Sequence, residues 1–190
     1  DASGILAWAL LPALVWWFFG EPRTLMVLLG TFGLAALLRA GQSWSRVLLF
    51  SIAWGLVYGV ILGSVFREPI EALAQVLEKA LPQMLDGLYQ QLTVEERARL
   101  GGVIAPVLTG LIAALLQAVS LLALMLGRYW QAALYNPGGF GSEFRAIRLP
   151  LVPALLLLVC MLIAPNFGSE LAMLTPLCSV PLVFAGLALI

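Results

Sequence analysis

Four polar side chains stand inside long apolar runs, where an amide or hydroxyl group must find a hydrogen-bond partner because no water is at hand. Gln117 and Ser120 are three residues apart and therefore share one helix face. Thr175 and Ser179 flank a helix-disturbing proline, Pro176, and broken helices form ligand sites in transporters. We predict that these four side chains contact a small or amphipathic ligand. Hydrogen bonding between neighbouring helices is the alternative role for Gln117 and Ser120.

A second set of residues that could bind a ligand or partner lies between positions 127 and 150, in a segment that separates two apolar runs. The segment combines arginines with aromatic residues. Arginine binds phosphate groups, and tyrosine and tryptophan gather at membrane surfaces. The residues predicted to contact a partner protein or lipid headgroups are Arg128, Trp130, Asn136, Arg145 and Arg148.

The same segment contains a turn sequence, Asn136-Pro137-Gly138-Gly139. Proline at the second position and glycine at the third predict a type II turn. Ser142 is predicted to cap a short helix that follows. The glycines do not predict a nucleotide site, because the lysine and the following Ser or Thr of a phosphate-binding loop are missing and no strand precedes them.

The residue types that the chain lacks argue against several functions. It contains no histidine, which removes the commonest general base and the Ser-His and Cys-His nucleophile pairs. The only lysine, Lys79, lies in a polar segment and is not placed to activate a serine. We therefore expect no enzymatic activity, no metal site and no cofactor. The net charge of zero argues against nucleic acid as a partner.

Membrane-spanning helices are the elements predicted to position these residues. The chain is 62% hydrophobic and 11% charged, whereas soluble domains carry roughly 25% charged residues. A run of about 20 apolar residues is long enough to cross a bilayer. We predict an all-α, polytopic helical membrane protein, a single domain over residues 1–190, with about six spans near residues 3–19, 24–38, 47–65, 100–126, 149–164 and 171–190.

Residues 67–92 have a different pattern. Apolar residues recur there every three or four positions with Glu and Gln between them, which predicts an amphipathic segment at the membrane interface. Pro82 is predicted to kink or break this segment. Thr93 and Glu96 have the spacing of a capping box, which predicts the start of the next helix.

Two rows of small residues predict how the central helices pack. Small side chains four residues apart let another helix approach closely. Packing within one chain is the first interpretation, and a contact between copies of the chain is the alternative. The rows are Ser51, Gly55, Gly59 and Gly63 on the third span and Gly101, Ala105 and Thr109 on the fourth.

The distribution of charge predicts an orientation. Residues 39–46 and 127–148 together hold five arginines and one acid, and basic loops favour the cytoplasm. We predict that both ends of the chain and the loop 127–148 are cytoplasmic, and that residues 67–92 are outside. The chain begins at Asp1 and stops within an apolar run, so we expect it to be part of a longer protein.

Three motifs between residues 128 and 149 resemble a known family. They are Arg128-Tyr129-Trp130-Gln131-Ala132, Leu134-Tyr135-Asn136-Pro137-Gly138-Gly139-Phe140-Gly141, and Glu143-Phe144-Arg145 followed by Leu149. These motifs resemble the YybS-like proteins, a family of predicted multi-span proteins of the bacterial inner membrane. The resemblance implies that localisation. Through that family's similarity to the substrate-capture subunits of energy-coupling-factor transporters, it also implies a transport-related role.

Two functional hypotheses remain open from the sequence. In the first, the protein binds a small or amphipathic molecule between its helices and works with a partner in transport. In the second, it is a non-transporting scaffold or assembly protein that docks a partner through Asn136-Pro137-Gly138-Gly139. The expected partners are membrane lipids and either a membrane or cytoplasmic protein or a second copy of this chain.

Overall fold

The computed structural model describes residues 22–85 and 87–189, together with residues 10, 11, 14, 15 and 18. The first predicted span, residues 3–19, therefore lies largely outside the described residues. None of the described residues belongs to a strand. The helices are α1 (Arg23–Arg39), α2 (Trp44–Val65), α3 (Arg67–Met84), α4 (Gly87–Gln91), α5 (Val94–Tyr135), α6 (Gly139–Arg145), α7 (Leu151–Phe167), a 3₁₀ helix (Ser169–Met173) and α8 (Leu174–Leu187).

Three helical stretches among the described residues are long and apolar enough to cross a membrane. They are α2 with 22 residues, α5 with 42 residues, and the 3₁₀ helix continued by α8, with 19 residues in all. The helix α7 is apolar but shorter, with 17 residues. The described part of the chain is thus all-helical, with helices suited to a bilayer, while the arrangement of six spans stays a prediction.

The helix α5 is longer than the apolar run that predicted it. It begins at Val94 and ends at Tyr135, whereas the predicted span covers residues 100–126. The capping box at its start is confirmed: the Thr93 amide donates to Glu96 Oε2 at 2.8 Å, and the Glu96 amide donates to Thr93 Oγ1 at 3.3 Å. At the other end the first helix-breaking sequence is Asn136-Pro137, because a residue before proline avoids the helical region. The first part of the predicted loop 127–148 is consequently helical.

The amphipathic segment consists of two helices, α3 and α4. The helix α3 runs through Pro82 and ends two residues later, at Met84. Its buried side chains include Ile70 and Ala74, one turn apart, while Leu73 and Val76 on the neighbouring face are exposed.

The described chain forms two compact units. The first unit comprises the described residues within 1–54, 115–150 and 180–190, and the second those within 55–114 and 151–179. The most deeply buried apolar side chains of the first unit include Leu34, Val47, Leu48, Leu121 and Ile147. Those of the second unit include Tyr58, Leu62, Ala113, Ala172 and Leu177.

Small residues mark close approaches between helices inside the second unit. In the second unit, a Cβ added to Gly59 would lie 3.9 Å from the Cβ of Ala113, and one added to Gly63 would lie 3.9 Å from Cγ2 of Thr109. These are ordinary contact distances between α2 and α5. Gly101 faces a different element, because a Cβ added there would lie 2.6 Å from Oε1 of Glu78 on α3.

Candidate functional site

A groove of about 630 Å³ in the first unit is the strongest candidate for a binding site. Its walls come from α1, the loop between α1 and α2, α5 and α6, and we call it the basic groove. Its apolar lining includes Ala35, Leu38, Ala123 and Leu124, and its polar lining includes Arg39, Gln42, Trp44, Arg128, Gln131 and Glu143. Apolar residues combined with a few polar groups are the usual make-up of a small-molecule site.

An ion pair between α5 and α6 forms one side of the basic groove. Arg128 Nε donates to Glu143 Oε2 at 3.0 Å, and Arg128 Nη2 donates to Glu143 Oε1 at 2.6 Å. The side chains are 37% and 33% exposed. Paired donation of this kind fixes direction as well as distance, so the pair orients α6 against α5. Trp44 Nε1 adds a longer bond of 3.4 Å to Glu143 Oε2.

Aromatic rings also hold α6 in place. Phe140 meets Trp44 edge-on at a centroid distance of 6.4 Å and Tyr129 edge-on at 6.0 Å. It also stacks on Phe144 at 5.9 Å. Ring pairs at these separations and angles are favourable. The short helix α6 is therefore held by α2 and α5 together, rather than by its own length.

The turn before α6 has the predicted type II geometry, which confirms that prediction. Gly138 has φ 87° and ψ −12°, the left-handed conformation that glycine adopts without strain. The Gly139 amide donates to the Asn136 carbonyl at 3.0 Å and closes the turn. The prediction that Ser142 caps the helix is wrong. The turn already delivers Gly139 in helical geometry, so α6 begins there, and Ser142 Oγ donates to the Gly139 carbonyl at 2.7 Å.

The existing hydrogen bonds of the basic groove determine which of its polar groups remain available to a ligand. Gln42 Oε1 accepts from Arg46 Nη1 at 2.9 Å, and Gln131 Oε1 accepts from Arg128 Nη1 at 2.9 Å. Because both amide oxygens are engaged by arginines, what each amide offers a ligand is its NH₂ group. Arg39 forms no ion pair within the part of the chain that the structure describes. The groove thus presents one uncompensated positive charge and several N–H donors.

Acidification is expected to weaken the attachment of α6. Hydrogen bonds from Arg128 hold the pKa of Glu143 below its usual value, against the opposing effect of burial, and the Trp44 hydrogen bond lowers it further. A depressed folded-state pKa contributes stability above the unfolded-state pKa of about 4.3, and that stability is lost as pH falls through the folded-state pKa. We expect the free energy of unfolding of wild type to exceed that of Glu143→Gln by about 1 kcal/mol at neutral pH. The value is modest because both side chains are about a third exposed.

Thermal unfolding of wild type and Glu143→Gln over a series of pH values measures this. The difference between the two proteins should shrink as pH falls below the range of an ordinary carboxyl. A difference that stays constant into the acid range would show that the ion pair does not stabilise the fold.

The structure places the predicted ligand residues Gln117 and Ser120 in the interior of the first unit. Gln117 is 1% exposed and Ser120 is fully buried. Gln117 Nε2 donates to Ser51 Oγ at 2.8 Å, a bond between α5 and α2. Gln117 Oε1 is buried and accepts no hydrogen bond from the described residues. Ser120 Oγ donates to the Leu116 carbonyl at 2.9 Å, and Thr31 Oγ1 donates to the Ser120 carbonyl at 3.3 Å.

Thr175 and Ser179 lie in the second unit. Thr175 Oγ1 donates to the Met161 carbonyl at 3.0 Å, which joins α8 to α7, and Ser179 Oγ donates to the Pro176 carbonyl at 2.6 Å. Both side chains are half-buried. Their hydroxyl hydrogens are directed to backbone carbonyls.

The residues predicted to contact a partner or headgroups have several roles. Arg128 forms the ion pair, and Asn136 closes the turn through its carbonyl. Arg145 Nε donates to the Gly141 carbonyl at 3.2 Å, and Arg148 Nη1 donates to the Arg145 and Ile147 carbonyls at 2.8 Å each. Trp130 is 60% exposed.

Sequence reasoning missed Arg39, Gln42, Gln131 and the role of Glu143. One signal was present for Glu143. It is the only acid between positions 127 and 150, so an arginine of the same segment was its natural partner. Nothing local marked Arg39 and Gln42, because they reach the groove only through the packing of α1 and α2 on α5.

Comparison of the chain with protein-family models, with curated proteins and with solved structures finds no match. The likeness of residues 128–149 to the YybS-like family accordingly stays a prediction.

Proposed function

We propose that this chain is a non-enzymatic membrane protein that binds an amphipathic anion in the basic groove. The observation that carries this proposal is that Arg39, which forms no ion pair among the described residues, lines the same groove as several apolar residues. Arg39 and the NH₂ groups of Gln42 and Gln131 are donors suited to a phosphate or carboxylate group. Ala35 and Leu124 give an apolar tail a surface out of water. The volume of about 630 Å³ falls within the usual size range of ligand sites.

The proposed setting is the bacterial inner membrane, in a transport-related role with a protein partner. The three membrane-length helices support a membrane location. Arg39 and Arg128 belong to the basic segments that the positive-inside rule assigns to the cytoplasm, which would open the basic groove at the cytoplasmic surface.

Arg39→Gln is expected to weaken binding of a phosphate amphiphile about tenfold, because it removes one charge-assisted interaction. The protein is reconstituted in phosphatidylcholine nanodiscs and titrated with dioctanoyl phosphatidic acid by calorimetry. Lys79→Gln removes the same charge from exposed α3 and serves as the matched control. Inorganic phosphate as a second probe separates a soluble phosphate ligand from a lipid.

Three results would contradict this proposal. Arg39→Gln binding as tightly as wild type would place the site elsewhere. An equal loss in Lys79→Gln would reduce the effect to overall charge. Absence of binding for both probes would leave the groove without the proposed ligand.

A docking role for the turn is the second candidate, favoured by exposure beside it. Leu134 and Tyr135 are 77% and 84% exposed, immediately before Asn136. Exposed apolar and aromatic side chains of this kind mark interaction surfaces. Native mass spectrometry of the full chain, gently extracted from its own membrane, separates the two proposals: a bound small mass supports the first, and a stoichiometric protein partner that is lost on altering Asn136-Pro137-Gly138 supports the second.

A further inference from the structure

A separate cavity of about 400 Å³ in the second unit has a net negative lining, in contrast to the basic groove. It lies among the end of α2, the start of α3, α5 and the 3₁₀ helix. Its polar lining consists of Ser64, Arg67, Glu71, Thr109 and Glu170. The proposed function makes no use of this cavity.

Both hydroxyl groups in the lining have already donated their hydrogens. Ser64 Oγ donates to the Val60 carbonyl at 2.9 Å and lies 3.0 Å from the Ile61 carbonyl. Thr109 Oγ1 donates to the Ala105 carbonyl at 2.9 Å. Since a hydroxyl carries one hydrogen, these two groups offer a ligand only their oxygen lone pairs. Thr109 is 8% exposed, so its geometry is fixed by packing.

The carboxylates add further acceptors and leave the cavity negative. Glu71 Oε1 accepts from Arg67 Nε at 2.6 Å, so the charge of Arg67 is matched by Glu71. Glu170 forms no ion pair among the described residues. The Glu71 hydrogen bond is the main cause that raises the pKa of Arg67, and the charge of Glu170 also raises it, so Glu170 lies near Arg67. One carboxylate is therefore left uncompensated.

We propose that this cavity binds an organic cation with N–H donors, an alkylamine or alkylguanidinium. The acceptors Ser64, Thr109 and Glu170 suit an ammonium group, which only donates. The apolar remainder of the lining, Val60, Ile70 and Met173, suits a short hydrocarbon chain. The lining offers an anion a single donor side chain, that of Arg67, whose Nε already donates to Glu71.

The test uses the full chain in phosphatidylcholine nanodiscs with n-hexylamine as the probe and n-hexanol as its neutral counterpart. Calorimetry, with empty nanodiscs subtracted, should show saturable binding of the amine and at least tenfold weaker binding of the alcohol. Glu170→Gln should weaken amine binding about tenfold, because it removes the uncompensated carboxylate. Glu170 is exposed, so the variant is expected to fold, and its unfolding temperature checks this.

Glu68→Gln is the matched control. Glu68 is also an exposed carboxylate, one residue from Arg67, but it does not line the cavity. It should leave amine binding within twofold of wild type, a margin of about 0.4 kcal/mol. No saturable amine binding, equal binding of amine and alcohol, or equal losses in Glu170→Gln and Glu68→Gln would each overturn the proposal.

Discussion

Replacement of Gly110 by alanine is expected to lower the free energy of unfolding by about 1–3 kcal/mol, the usual cost of overpacking a close contact. A Cβ at Gly110 would lie 2.7 Å from the Cα of Met173 and 2.9 Å from its carbonyl carbon, with the carbonyl oxygen nearer still. These are backbone atoms of the 3₁₀ helix and cannot rotate aside. Only movement of α5 away from that helix relieves the overlap.

Gly102→Ala is the control for this experiment because it makes the same change in the same helix. A Cβ at Gly102 would meet no atom within 4 Å. Alanine is the better helix former by up to about 1 kcal/mol, so Gly102→Ala should be neutral or stabilising. Equilibrium unfolding in mixed micelles, followed by tryptophan fluorescence, measures both. Equal stabilities of the two variants would show that α5 and the 3₁₀ helix are not in contact at Gly110.

Replacement of Ser51 by alanine is expected to lower the free energy of unfolding by about 1–3 kcal/mol, because it removes the remaining side-chain hydrogen bond of Gln117. Ser51 Oγ accepts a hydrogen bond from Gln117 Nε2 at 2.8 Å, and Gln117 Oε1 has no donor among the residues that the structure describes. The Ser51 hydroxyl itself donates to the Leu48 carbonyl at 2.7 Å. After the change, a complete carboxamide would be buried without any partner.

Gln117→Leu should lower the free energy of unfolding less than Ser51→Ala does, since leucine has a similar volume and no polar atoms. The double variant should recover most of the stability that Ser51→Ala loses, and a double-mutant cycle gives the coupling between the two positions. A double variant as unstable as Ser51→Ala alone would contradict this account. Native mass spectrometry of Gln117→Leu also tests the sequence-based prediction that Gln117 contacts a ligand: loss of a bound small mass would support it.

Local features of this fold were predictable from sequence, because they depend on neighbouring residues. The capping box at Thr93 and the type II turn at Gly138 follow from side-chain and backbone chemistry within four residues. The helical class follows from apolar runs separated by turn residues. The C-terminal end of α5 was missed because apolarity stops at residue 126, while helix propensity continues to the Asn136-Pro137 breaker.

Contacts between distant residues were not predictable in the same way. Gly110 lies one position off the row formed by Gly101, Ala105 and Thr109, so the small-residue pattern gave it no role. It packs on Met173, 63 positions later in the chain. The basic groove likewise joins residues 31–44 to residues 123–143. Such pairs are set by how helices pack, which a single sequence does not state.

The length of α5 makes the protein sensitive to the thickness of its lipid bilayer. Its 42 residues extend about 63 Å at 1.5 Å per residue, and the apolar stretch between Arg99 and Arg128 alone measures about 42 Å. The hydrocarbon layer of a typical bilayer is about 30 Å thick. The difference must be absorbed by inclination of the helix, by lengthening of the surrounding acyl chains, or by apolar side chains emerging into water, each at a small energetic cost. We therefore expect lipids with long acyl chains to lower that cost.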